Sequence, residues 1–187
     1  EEYVKMVGFA SDTLSAIVND ILDFSKLEAG KVNIEKEAFN PHKLFMSMQQ
    51  FFEFKAIDKK LDFGWNVDLP EDKWLLGDEL RINQILNNLL TNAFKFTDKG
   101  YIKVNIQYEG KNLILWVEDS GFGMTPEVKK NIFTKFNQGD GSITRKYGGT
   151  GLGLAIVKKL VDLQRGTIFL ESTEGVGTKI KITIPTE

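Results

Sequence analysis

The sequence predicts an α+β fold: a two-layer α/β sandwich, its mixed sheet covered by helices on one face, preceded by a long bundle helix. Three observations carry this reading. Thirteen of the 17 glycines lie from Gly100 onward, so the first 99 residues read as mainly helical and the rest as strands, turns and a glycine-rich loop. Apolar residues step by four and three through residues 2–29. Strand and helix patterns are then interspersed without the regular alternation of a parallel-sheet protein, which favours a mixed or largely antiparallel sheet.

Each element has its own signal. Tyr3, Val7, Ala10, Leu14, Ile17, Ile21 and Phe24 form an a/d seam, widened by Val18 and Leu22. Such a helix either packs on its own domain or joins a multi-helix bundle, and the unbroken stepping favours a bundle between chains. Gly30 is placed to cap it. Residues 31–39 alternate and predict a strand. Asn40-Pro41 opens a second helix to about Lys59, with proline at a tolerated first-turn position. Residues 61–67 alternate again, and 73–76 predict a short strand. A third helix covers about 78–96. Strands 101–108 and 112–119 form a hairpin around Glu109-Gly110. Thr125-Pro126 caps a short helix to about Ile132. A polar loop, about 137–150, leads to a helix at about 151–164. Strands 167–172 and 178–184 meet at Glu174-Gly175.

Composition narrows the chemistry. The chain has 187 residues, 24 Lys and Arg against 26 Asp and Glu, no cysteine and one histidine, His42. Without cysteine there is no disulfide framework, thiolate metal site or cysteine nucleophile. One histidine excludes a multi-histidine zinc site. The net charge of −2 argues against nucleic-acid binding. No apolar run approaches the ~18–20 residues of a membrane span, so no membrane contact is expected. The chain opens on Glu-Glu rather than methionine, which reads as a piece of a longer protein.

Three constellations could carry chemistry. On a helical wheel of the third helix, Arg81, Gln84, Asn88, Asn92 and Lys95 share an arc of about 80°. Ile82, Ile85, Leu86, Leu89, Leu90, Ala93 and Phe94 take the opposite side. Asparagine is a mediocre helix former, yet four stand here. The face is either simply solvated, or its amide oxygens meet a hard cation beside a phosphate held by Lys95. Magnesium takes few protein ligands and completes its shell with phosphate and water oxygens. The second constellation, Asp119-Ser-Gly121-Phe-Gly123, ends a strand. It is either a plain turn or a carboxylate for an exocyclic amine, with glycines clearing space for a flat ring. The third, Gly148-Gly149-Thr150-Gly151-Leu152-Gly153-Leu154, opens a helix. It is either a hinge or an anion site of backbone amides, with Arg145 and Lys146 just upstream. The Walker A motif does not occur, the dinucleotide fingerprint fails at Leu154, and the protein-kinase H-R-D element is absent.

In this order, the motifs resemble the catalytic, ATP-binding domain of sensor histidine kinases, a branch of the superfamily that includes gyrase, Hsp90 and MutL. NQILNNLLTNAFKFT resembles the N box, DSGFGM the G1 box, IFTKF the F box, GGTGLGL the G2 box, and GTKIKITIP the terminal strand. The resemblance covers essentially all of residues 31–187 and implies the Bergerat-type ATP-binding fold. SAIVNDILDFSKLEAGK in turn resembles the second helix of the dimerisation and phosphoacceptor hairpin, giving a division at 1–30 and 31–187. The first hairpin helix, with the phosphorylated histidine, would precede Glu1.

The resemblance implies roles. Asn92 would ligate Mg²⁺, with Asn88 supporting metal or phosphate. Lys95 would reach phosphate and Phe96 would stack near adenine. Asp119 would read the adenine amino group, with Gly121 and Gly123 giving clearance and Thr178 helping from the last hairpin. Residues from about 134 to 150 would form a lid, with Arg145 and Lys146 near the terminal phosphates. Gly149, Thr150, Gly151, Leu152 and Gly153 would line the nucleotide, and Phe133 and Phe136 would couple the lid to the helical bundle. Asn88, Lys95 and Arg145 are the residues expected to act in catalysis. Hydrolysing relatives carry Glu four residues before the metal-binding Asn; here that position is Asn88, which cannot take a proton from water. The expected function is transfer of the ATP γ-phosphoryl group to a histidine, and then to an aspartate of a response-regulator receiver domain. The expected setting is a cytoplasmic homodimer joined through the N-terminal helix. This chain alone would bind ATP without autophosphorylating at the usual site, since His42 suits a surface or capping role. A non-enzymatic nucleotide module and an anti-sigma-type protein serine kinase are the alternatives.

Overall fold

The computed structural model describes residues 2–134 and 151–186. Helix α1 (Glu2–Glu28) leads to strand β1 (Glu37–Phe39), helix α2 (Pro41–Lys59), strands β2 (Asp62–Asp68) and β3 (Leu75–Gly77), and helix α3 (Glu79–Phe96). The hairpin β4 (Tyr101–Glu109) and β5 (Asn112–Asp119) follows, then helices α4 (Pro126–Asn131) and α5 (Gly153–Leu163), and the hairpin β6 (Thr167–Thr173) and β7 (Gly177–Pro185).

The main sheet has five strands in the order β2-β4-β5-β7-β6. β2 runs parallel to β4 and every other neighbouring pair is antiparallel, so the sheet is mixed. Alternate residues of β4, β5 and β7 are buried: Ile102, Val104 and Ile106; Leu113, Leu115 and Val117; Ile180, Ile182 and Ile184. With the period of two in a strand, these side chains share the face beneath the helices. Onto it pack the seven apolar residues expected of α3, all buried, and Ala155, Ile156, Val157, Leu160 and Val161 of α5.

The strand expected over 31–39 is shorter than predicted. Only Glu37–Phe39 pairs, antiparallel to β3 in a separate two-stranded sheet. Before it, the Glu35 amide donates to Oδ2 of Asp78, 3.0 Å away, instead of joining a ladder. Asp78 is buried and its other oxygen accepts from Arg81 N at 3.0 Å, capping α3. Asn40 caps α2, accepting from Lys43 N at 3.0 Å, and leaves His42 half-buried in the first turn.

Helix α1 is divided along its length. Val7 and Leu14 are 69% and 62% exposed, whereas Phe24 and Leu27 are each 7% exposed and belong to the same core cluster as α3 and α5. The seam predicted for a bundle therefore ends on Phe24, which packs into this chain's own core. Oδ2 of Asp23 accepts from Nε2 of Gln84 at 2.8 Å, tying α1 to α3; Nη1 of Arg81 donates to Oε1 of the same Gln84 at 3.0 Å.

Candidate nucleotide site

The candidate site lies where the polar face of α3, the end of β5, the start of α5 and the β6–β7 hairpin meet. Burying seven apolar residues on one side of α3 leaves Asn88, Asn92 and Lys95 half-buried on the other. Nδ2 of Asn88 donates to the Gln84 carbonyl at 3.1 Å, which fixes the amide and points its oxygen away from the helix axis. That oxygen faces the first turn of α5. A Cβ built at Gly153 would lie 3.2 Å from Oδ1 of Asn88 and 3.8 Å from Nδ2 of Asn92. Glycine at 153 thus lets the first turn of α5 come close to these two amides, and any other side chain would press on them.

Leu152 holds the N-cap position and makes no side-chain cap bond, having no oxygen to offer. The positive end of the helix dipole therefore stands next to two amide side chains. Lys95 adds a cation; burial pushes its ammonium below the usual lysine range. Its Nζ is 4.9 Å from the centroid of the Phe96 ring.

Across the site, Asp119 continues the buried row of β5, so its carboxylate projects to the helix side of the sheet. Its cross-strand partners are Ile102 and Thr178. Burial pushes its pKa up to about 6, helped by Glu118 and opposed by the backbone amides of Gly121 and Thr178. The Gly121 amide donates to Oδ1 at 2.9 Å. The 120–123 loop is wedged in place: Phe122 N donates to the Phe96 carbonyl at 3.2 Å and Gly175 N donates to the Phe122 carbonyl at 2.7 Å. A Cβ at Gly121 would collide with the Phe96 carbonyl, and Gly123 has φ +64 with the Thr173 carbonyl against its Cα.

Of the residues singled out from sequence, Asn88, Asn92, Lys95, Phe96, Asp119, Gly121, Gly123, Leu152, Gly153 and Thr178 converge here, with Gly151 directly before Leu152. Arg145, Lys146, Gly149, Thr150 and Phe136 lie outside the described residues, and Phe133 is half-buried just before them. Sequence reasoning missed Ser172, which bonds Thr178. The alternation of TIFLEST was a usable signal for Ser172, a polar residue on the face that Ile168 and Leu170 turn to the core.

Residues 77–187 match the family described as histidine kinase-, DNA gyrase B-, and HSP90-like ATPase. The chain belongs to this family. Within it, it is the ATP-binding catalytic portion of a sensor histidine kinase. It is 38% identical over 190 residues to the autoinducer 2 sensor kinase/phosphatase LuxQ of Vibrio cholerae, covering 100% of this chain and 22% of that protein. The chain thus spans about a fifth of that relative's length. Among solved structures, full-length ShkA in complex with AMPPNP superposes with a TM-score of 0.83 at 29% identity, covering 99% of this chain and 38% of that one. Histidine kinase ThkA in complex with the response regulator TrrA gives 0.73 at 28%, covering 99% and 51%. The mixed sheet beneath helices is accordingly the histidine kinase catalytic fold, that of a nucleotide-binding family.

The amide and amine groups also fit a magnesium nucleotide. Among the described residues, no cluster of three His, Asp or Glu side chains is placed to hold a metal. The oxygen facing Gly153, Oδ1 of Asn88, belongs to a neutral amide, which suits a hard cation already bound to anionic phosphate.

Proposed function

We propose that the chain holds Mg-ATP between α3 and α5 and donates its γ-phosphoryl group to a histidine on a hairpin helix. An aspartate of a response-regulator receiver domain would then take the group. The observation that carries this is the close approach of the first turn of α5 to Asn88 and Asn92, which glycine at 153 permits. Asn92 and Asn88 would hold the metal and phosphates, and Lys95 the phosphate charge. The metal would neutralise charge on the phosphates. Asp119 accepts from the adenine amino group while Gly121 and Gly123 let the ring approach, and Phe96 lies beside it.

The transfer itself needs little protein chemistry. An imidazole nitrogen forms a bond to the γ-phosphorus, the bond to the β–γ bridging oxygen breaks, and ADP leaves; the imidazole loses its N–H proton. This chain's residues position and shield. Asn88 cannot serve as a base for water, because an amide is not basic, and one of its two N–H groups is held by the Gln84 carbonyl. That favours delivery to a side chain over hydrolysis.

The histidine would lie on a hairpin whose second helix is residues 1–30, paired with a second copy in a cytoplasmic homodimer. The exposed stripe of Val7, Leu14, Val18, Ile21 and Leu22 supports that pairing. Among the described residues, no helix is long and apolar enough to cross a membrane. A titration of ATP with and without Mg²⁺, on wild type and Asp119→Ala, tests the site; unchanged affinity in the variant would sink the adenine assignment. Stoichiometric phosphorylation of His42 on incubation with Mg-ATP would overturn the requirement for an acceptor elsewhere.

A further inference from the structure

Thr178 stands between two residues across neighbouring strands: Asp119 of β5 on one side and Ser172 of β6 on the other. All three share the face beneath the helices. Oγ of Ser172 lies 2.9 Å from the Gly177 carbonyl oxygen and 2.9 Å from Oγ1 of Thr178. A carbonyl oxygen can only accept, and a serine hydroxyl has one proton to give. That proton goes to Gly177. Ser172 must then accept from Thr178, so the direction of the whole relay is fixed: Thr178 O–H to Ser172 Oγ, Ser172 O–H to Gly177 C=O.

The consequence falls on the other side of Thr178. With its proton drawn toward Ser172, its oxygen presents only lone pairs beside the Asp119 carboxylate. We propose that Ser172 is a specificity-determining residue of the nucleotide site: by locking Thr178 as a pure acceptor, it makes the site take a 6-amino purine and reject a 6-oxo purine. This rests on the reading of Asp119 and Thr178 as the base-contacting groups. A carboxylate alone discriminates poorly, because a 6-oxo purine also carries a donor at N1. A second acceptor beside it does discriminate: an amine has two N–H groups to give, whereas a 6-oxo oxygen meets lone pair against lone pair. Leaving such groups unpaired is the costly outcome. Ser172 acts through Thr178 and touches no reacting atom.

The test compares Mg-ATP with Mg-ITP, which differs at the 6-position and N1, by calorimetric titration of the intact chain. Wild type is expected to favour ATP. Ser172→Ala frees the Thr178 hydroxyl to rotate and donate, so the ratio of ITP to ATP dissociation constants falls about tenfold, the size of one net hydrogen bond, mainly through tighter ITP binding. Ser172→Thr, which keeps the hydroxyl, retains the wild-type ratio. Thr178→Val, which removes the second acceptor and its lone pairs without supplying a donor, weakens ATP binding and also lowers the ITP to ATP ratio, mainly through the loss of ATP affinity. If ATP binds wild type and Ser172→Ala keeps the wild-type ratio, the selectivity role is overturned while the site assignment stands. If wild type binds neither nucleotide, the assignment of the site itself fails.

Discussion

At the scale of single residues, the site is kept at a cost in stability. The Asp119 carboxyl titrates at about 6 in the folded chain and near 3.9 in an unfolded one. As pH rises from about 4 through 6, the unfolded chain releases this proton first, so stability falls across that window. Asp119→Asn removes the ionisation. Without nucleotide, its melting temperature should match wild type at pH 4 and exceed it at pH 8, read by thermal unfolding at both values. Its ATP affinity should collapse. In wild type, ATP affinity should be full above about pH 6 and fall below it, as the carboxylate that accepts from the amine becomes protonated; a flat profile from pH 5 to 8 would contradict this. Gly153→Ala separates the same two quantities. Alanine favours the helix by up to about 1 kcal/mol over glycine, but its methyl would stand 3.2 Å from Oδ1 of Asn88. A raised melting temperature with weaker Mg-ATP binding is expected. Unchanged Mg-ATP binding would show that the approach of α5 to Asn88 plays no part in holding the nucleotide.

At the scale of elements, α1 is two things in one helix. Its first part exposes apolar residues, while its last turns are core. Phe24→Ala should cost about 3 kcal/mol or more in chemical denaturation, as deletion of a buried ring does. Leu14→Ala, at an exposed position, should stay within about 0.5 kcal/mol in dilute solution. The polar tie is smaller. A double-mutant cycle on Asp23→Ala and Gln84→Ala should return a coupling of about 1 kcal/mol, since the bond involves a charged partner but is only part-buried. Additive single effects would show that the bond contributes nothing to the joint.

At the scale of the whole molecule, Mg-ATP should act as a clamp between α3, α5 and the sheet. A ligand at a hundred times its dissociation constant adds about 2.7 kcal/mol, which for a chain of this size is a rise of about 5–10 °C in melting temperature. Removing the metal with chelator should erase most of the rise. How much of this was readable beforehand depends on how far apart the interacting residues are. The buried face of α3 was legible to the residue, because helical periodicity records burial directly. Asp119 was legible as a candidate because it ends an alternating strand. The overrun at β1 was not, because the carboxylate that diverts Glu35 lies 43 positions away. The seat of Phe24 and the Ser172 relay were hidden for the same reason, since each needs a tertiary contact or a strand register. The joint between α1 and the rest has a mechanical consequence. Successive residues of a helix point about 100° apart. Turning α1 about its axis by one such step would carry Asp23 off Gln84 and Phe24 out of its seat together. Bending it near residue 7 would disturb neither. The joint is a keyed shaft: it registers twist and is deaf to bend, and what it is keyed to is the helix that carries Asn88 and Asn92.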